Sequence, residues 1–225
     1  MFSLVKKLVP NRPGVVPILR GPFRGGSFPG VPRASLRKMM GVYEHELNGW
    51  LEEFLPKADA IFDIGVNDGY FTFGCLSAFR RQGRNCPIMG WEPEAPYIER
   101  LNAHLGRPQC QGHQVKLIRK FVGDESSDTC DRLRDIPQWE PAGSRRTLLK
   151  IDVEGAEVDV LRGAGDWISP QNIFLIEVHA EDLIAPCRDM LAEKGVETRM
   201  IEQSPHWLLG REMRDIDNRW MVSVA

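Results

Sequence analysis

Phe62-Asp63-Ile64-Gly65-Val66-Asn67-Asp68-Gly69-Tyr70-Phe71-Thr72 is the stretch on which the reading of the fold turns. An apolar run beginning at Ala60 stops at Gly65, a second glycine follows at Gly69, and Phe71, Cys75 and Phe79 then recur at helical spacing. Strand, glycine turn and helix in that order make the opening unit of an α/β layer. Glycine at the turn permits a sharp bend and lets a ligand lie against bare backbone. A dinucleotide-binding turn would read G-x-G-x-x-G, and a phosphate-binding P-loop would end in G-K-[ST]. The chain has neither, and Asp63 and Asp68 crowd the turn with negative charge. A pyrophosphate would be repelled there and a cationic ligand welcomed.

Outward from this turn the same alternation repeats. Apolar runs at Ala60–Val66, Pro87–Trp91, Val115–Val122, Thr147–Val153 and Asn172–Val178 suit strands buried on both faces of a parallel sheet. Between them lie helical stripes at Ile98, Leu101 and Leu105, and at Ala156, Val160, Leu161 and Ala164, the latter closed by Gly163 and Gly165. Another stripe holds Ile184, Cys187, Met190 and Leu191, with Pro186 expected in its first turn and Gly195 ending it. Two last runs, Glu197–Glu202 and Arg219–Val224, read as an antiparallel pair at one edge. The pattern predicts a doubly wound, mostly parallel α/β sheet of seven strands with that edge pair.

The chain has 225 residues, 42% hydrophobic and 27% charged, which suits one globular domain with an extension. It contains no run of eighteen apolar residues, so no membrane-spanning helix is expected, and Met1–Val9 is too interrupted for a secretion signal. The odd number of scattered cysteines (Cys75, Cys86, Cys110, Cys130, Cys187) argues against a disulfide framework and for a cytoplasmic location. Residues 1–43 hold eight basic residues and no acid, leaving 21 basic against 31 acidic residues in the rest. An acidic body disfavours nucleic acid as a partner. Six prolines and five glycines before residue 40 predict no packed element between Pro10 and Pro32, so residues 1–42 read as a basic wrapping arm or loose tail before a domain at 43–225. A short helix from about Arg33 is expected to run into a helical segment at Tyr43–Leu55, stopped by Pro56; Glu44, His45 and Glu46 before the first strand could line an acceptor pocket, with a solvated helix start the simpler explanation.

In an open parallel sheet the ligand sits beyond the carboxyl ends of the strands. These ends carry Asp63, Gly65, Asn67 and Gly69, then Glu92, then Gly123 and Asp124, then Asp152 and Glu154, then Glu177 and His179. A ligand with a ribose, an ammonium and a sulfonium but no phosphate meets these demands, and S-adenosylmethionine is such a molecule. Glu92 would hold both ribose hydroxyls, Asp63 would reach the ammonium, and Asp124 would meet the adenine amino group. Lys150, inside a strand expected to be buried, must be paired, with Asp63 or Glu177 as candidates.

Phe62–Thr72 resembles the first motif of class I methyltransferases, whose sheet is Rossmann-like. Leu149-Lys150-Ile151-Asp152-Val153-Glu154-Gly155-Ala156-Glu157 with Val160-Leu161-Arg162-Gly163-Ala164, and the later Phe174-Leu175-Ile176-Glu177-Val178-His179, are similar to the hallmark segments of FkbM-type methyltransferases. The likeness covers roughly residues 43–180; it departs at Val66, where that family usually has a smaller residue. It implies transfer of a methyl group from S-adenosylmethionine to a hydroxyl of a sugar, glycolipid, glycan or polyketide-type product.

Such a reaction needs a base near the sulfonium, which leaves His179, Asp152, Glu154 and Glu177 as catalytic candidates; His179 has the pKa best matched to neutral pH. Asp152, Glu154 and Glu177 also offer oxygen ligands to Mg²⁺, but no spacing demands a metal, and metal-independent transfer is expected. The chain lacks the N/D-P-P-Y/F tetrapeptide expected of amide or adenine N-methylation. Cys187 after Pro186, the one candidate for a cytosine-methylating nucleophile, falls on a helix where burial explains it. The rival of another class is an inactive protein that keeps the fold as a scaffold. The arm offers a surface for a second copy or for a pathway enzyme.

Overall fold

The computed structural model describes residues 9–136, 146–207, 209–210 and 219–224. Lys6 and Lys7 of the basic arm lie outside them. The chain opens with an antiparallel ribbon of β1 (Gly14–Pro17) and β2 (Ser27–Gly30), in which Val16 faces Phe28. This corrects the expectation of an unpacked arm. Pro17 and Pro29 sit in a two-stranded ribbon, where an absent N–H can face away from the partner strand. The side chains of Val16, Ile18, Phe23 and Phe28 are each at most 2% exposed. The ribbon is fastened to the domain by Ser77, whose hydroxyl donates to the Arg24 carbonyl at 3.0 Å, and by Arg81, which donates to the carbonyls of Arg24 and Pro22.

Helix α1 (Leu36–Met39) is short and does not run into the next helix, as the sequence suggested. Left-handed Gly41 and Glu44 break the path, and α2 (Asn48–Phe54) begins afresh. Next come β3 (Ala60–Ile64), α3 (Tyr70–Arg81), β4 (Ile88–Trp91), α4 (Ala95–Leu105) and β5 (Val115–Ile118). The run read as one strand to Val122 is divided: β6 (Phe121–Val122) leaves the sheet to pair with β7 (Cys130–Asp131). The chain continues through β8 (Thr147–Ile151), α5 (Glu157–Ala164), β9 (Ile173–Val178), α6 (Glu181–Glu193), β10 (Thr198–Ile201) and β11 (Arg219–Ser223).

The main sheet has the order β10-β11-β9-β8-β3-β4-β5, parallel except for β11, which runs antiparallel to both its neighbours. The expected seven strands and terminal antiparallel pair are therefore present. Both faces are covered, so β3, β4, β8 and β9 are buried throughout. Ile61 packs with the ribbon, α2 and α3 on one side, while Phe62 and Ile64 pack with α5 and α6 on the other. Pro186 lies in the second turn of α6, not the first as expected. That helix ends on left-handed Gly195, where Gly195 and Val196 N–H close back onto Ala192 and Leu191 carbonyls. Gly163 does not end α5 but lies inside it; a Cβ there would collide with the Gly123 carbonyl.

Candidate functional site

From β3 the sheet grows one way through β4 and β5, then returns to β8 on the other flank of β3. The strand order reverses between β3 and β8, which places a crevice at their carboxyl ends. There the Asp152 N–H donates to the Ile64 carbonyl at 3.0 Å, and Gly65 turns with φ +84°. A Cβ at Gly65 would collide with the Asp152 carbonyl oxygen, so only glycine lets the two strand ends approach this closely. A cavity of about 380 Å³ opens over this junction, lined among others by Gly65, Asn67, Glu92, Tyr97, Phe121 and Asp152. Its size lies in the range of small-molecule and cofactor sites.

Glu92 is 5% exposed, and its two oxygens accept from Asn67 N–H at 2.8 Å and Glu94 N–H at 2.9 Å. It therefore pins the glycine turn to the end of β4 and orders the entry to α4, a structural task beside the ribose contact expected of it, while also lining the cavity. Gly69 caps α3 in the left-handed region and packs against Phe73 and Leu101. Two cofactor candidates are displaced. Gly123 is buried against α5, and Asp124 is exposed; neither lines the cavity, because β5 ends at Ile118 and the chain turns aside. Lys120, Phe121 and Val122 take that wall instead. Phe121 is 59% exposed, an open ring at the mouth of the cavity.

Asp63 does not reach the cavity either. It is fully buried, accepting from the Thr72 hydroxyl at 2.5 Å and paired with Lys150 at 3.2 Å. The Lys150 ammonium also meets Asp152 at 3.1 Å and donates to the Gly65 carbonyl at 2.6 Å. The sequence reading required a partner for Lys150, and the partners are Asp63 and Asp152. Burial alone would lower its pKa, but the charges of Asp152 and Asp63 raise it above lysine's ordinary value. Lys150 thus holds the floor of the crevice together.

Asp152 stands above that floor with its side chain 26% exposed, facing His179 Nε2 at 3.6 Å. Burial would raise its carboxyl, but Lys150 and then His179 outweigh burial and hold it below the usual carboxylate range. His179 hydrogen-bonds through Nδ1 to Glu157 at 2.7 Å. A carboxylate accepts that bond, so Nδ1 carries a proton and Nε2 points toward Asp152. Burial would lower the imidazole pKa; the Glu157 hydrogen bond and the charges of Glu177, Asp152 and Glu157 raise it instead.

Glu157 is fully buried at the first position of α5 and also accepts from Gly155 N–H at 2.9 Å. It was quoted in the sequence but given no role; an acid on the apolar side of a helix start was the available signal. Glu154, by contrast, is exposed on a left-handed turn before α5 at the rim of the cavity. Glu177 is 5% exposed beside Asp152 and His179. These three residues bring one ligand atom each within 4.8 Å of one another, an arrangement able to take a cation, although Lys150 already neutralises Asp152. Cys187 is fully buried, its thiol pushed up to about 12 by burial and then by Glu157, so it is no nucleophile.

Asp152 also lines a second, narrower cavity of about 60 Å³ on the side of the ribbon and α2. Glu44, for which the sequence left a pocket wall and a solvated helix start open, lies on that wall.

Residues 110–197 match the model of the methyltransferase FkbM domain. A 99-residue stretch is 31% identical to Methyltransferase 1 of Beauveria bassiana (strain ARSEF 2860), covering 43% of this chain and 39% of that protein. The chain thus spans well under half the length of this curated relative. Methyltransferase FkbM from Methylobacillus flagellatus KT superposes with a TM-score of 0.57 at 16% identity, over 74% of this chain and 44% of that one. The METTL16 methyltransferase domain gives 0.53 at 13% identity, over 80% and 66%. These structural likenesses show the fold alone, a Rossmann-like sheet shared with the two methyltransferases. No helix among the described residues is long and apolar enough to cross a membrane.

Proposed function

We propose, on the match of residues 110–197 to the methyltransferase FkbM domain, that this chain is an S-adenosylmethionine-dependent O-methyltransferase acting on a hydroxyl of a sugar, glycan, glycolipid or polyketide-type small molecule. The observation that carries the reading is Asp152: one carboxylate lines both cavities and has an oriented imidazole behind it. The larger cavity fits the methyl donor. It is wide enough, and its acidic walls suit a cation without phosphate. Glu92 and Asn67 would hold the ribose and amino-acid parts, and Tyr97 and Phe121 would flank the base. Bound there, the donor supplies an already activated methyl group.

The protein's own work is to orient the acceptor and take up its proton. Asp152 accepts a hydrogen bond from the attacking hydroxyl and aims its oxygen along the cavity axis. Its depressed pKa makes it a poor final home for the proton. His179 Nε2, 3.6 Å behind it, is the better one, since Glu157 stabilises the resulting imidazolium. Orientation of this kind contributes about 7–11 kcal/mol, and a placed base about 10²–10⁴-fold in rate. Glu177 stands beside both groups and supports their charge states, and Glu154 faces the cavity rim.

Incubating the protein with methyl-labelled S-adenosylmethionine and a panel of hydroxylated metabolites, in EDTA, should give a labelled ether. Donor binding without transfer to any acceptor would favour the scaffold reading. Transfer only after Mg²⁺ is restored would make Asp152, Glu177 and His179 metal ligands and remove His179 as the base.

A further inference from the structure

A cleft of about 450 Å³ opens on the ribbon side of the sheet, away from the crevice. Its walls come from three elements: Pro22 and Arg24 from the loop joining β1 to β2, Leu51 and Glu52 from α2, and Ala78 and Arg81 from the end of α3. Helix α3 starts beside the glycine turn with Tyr70 and ends with Arg81, so the cleft sits roughly 16 Å along that helix from the turn. Its volume is in the range of small-molecule sites.

Two arginines share this cleft, and the fold holds them together. Phe23 packs over Gly74, where a Cβ would collide with its ring, and a Cβ at Gly26 would press on Ser77. The Arg81 guanidinium donates to the carbonyls of Pro22 and Arg24, and that of Arg24 donates to the Gly21 carbonyl at 3.4 Å. The loop is thereby seated on α3, with Arg24 beside Arg81. Both arginines are exposed, and among the described residues neither forms an ion pair with a carboxylate. Arg84 behaves differently: it donates to the Pro56 carbonyl on the cleft wall and is paired with Asp59 at 3.0 Å. Burial and then the charge of Arg24 lower the Arg81 pKa from arginine's ordinary value, as expected of neighbouring cations. Glu52 is exposed on the α2 wall and opposes an anion without neutralising either guanidinium.

Backbone carbonyls thus orient the two cations and leave their net charge uncompensated. A phosphate monoester carries up to two charges and three acceptor oxygens, so one group can serve both guanidiniums at once. A carboxylate, with two oxygens, matches a single guanidinium fork. We propose that this cleft is a phosphate-binding site, bridged by Arg24 and Arg81, for a phosphomonoester carried on a soluble metabolite or a lipid headgroup. Its distance from Asp152 makes it an anchoring site separate from methyl transfer, and it stands independently of the reading of the crevice.

The test titrates inorganic phosphate and glycerol 3-phosphate into the full chain by calorimetry, and measures sedimentation with phosphatidylcholine vesicles with and without phosphatidic acid. Inorganic phosphate should bind saturably at millimolar concentration. Arg24→Gln should weaken it about tenfold, while Arg12→Gln, an equal loss of charge elsewhere on the arm, should leave it unchanged. Glu52→Gln should tighten it about twofold, a gain that no folding defect can imitate. Tighter binding of glycerol 3-phosphate than of inorganic phosphate marks a soluble ligand. Sedimentation only with phosphatidic acid vesicles, lost in Arg24→Gln, marks a headgroup. No saturable phosphate binding, or equal weakening by Arg24→Gln and Arg12→Gln, would overturn the site; so would a Glu52→Gln variant that binds no tighter.

Discussion

Lys150 and Glu157 are two of the buried charged residues at the site, and they fail in different ways when removed. Lys150→Met leaves Asp63 and Asp152 without their shared cation and the Gly65 carbonyl without its donor. Breaking a buried pair in this manner typically costs about 3–5 kcal/mol, and urea unfolding should show a loss of that order. A loss below about 1 kcal/mol would mean that the crevice floor is not held by this lysine. Glu157→Gln acts on proton chemistry instead. The raised pKa of His179 means that the folded protein favours the imidazolium. The associated stability is fully present below the unfolded value of about 6.5 and is lost as pH rises through the folded value. The variant should therefore lower the His179 pKa in an NMR titration and shift the acidic limb of the rate profile to lower pH. Its deficit in melting temperature should be larger near pH 6 than near pH 9. An unchanged His179 titration would remove Glu157 from the account.

At the scale of elements, the β1–β2 ribbon is the feature that composition concealed. Prolines and glycines mark where regular structure is interrupted, yet here they bracket Val16 and Phe28, which face each other inside the core. Phe28→Ala should cost about 3–5 kcal/mol of stability by equilibrium unfolding, as for a fully buried aromatic residue; a change under about 1 kcal/mol would restore the loose-tail reading. The parallel strands were legible because burial on both faces leaves continuous apolar runs, and because Gly65 sits where two strand ends must touch. The third strand was misread for the same reason: Phe121 and Val122 continue an apolar run, although the chain turns at Arg119 and Lys120. That turn displaced Gly123 and Asp124 from the cavity and brought Phe121 to it. Of the site, Asp152, Glu177 and His179 were legible as polar ends of apolar strands. Glu157 was not, since its role arises only when α5 folds back against the end of β9.

The whole molecule is organised around one junction, where the strand order reverses and Asp152 divides a wide cavity from a narrow one. On the proposed reading the wide cavity would select by charge, its acidic walls of Glu92, Glu94, Asp152 and Glu154 favouring a cationic nucleoside over a dinucleotide. The narrow cavity is lined by residues from far apart in the described chain, Tyr43 and Trp220 among them, so its walls depend on segments outside the parallel sheet. Isothermal titration of the full chain with S-adenosylmethionine tests this most directly, with NADH as the comparison. Saturable binding of one S-adenosylmethionine per chain, with no heat from NADH, is the result expected. No heat from S-adenosylmethionine, or binding of NADH in its place, would contradict it.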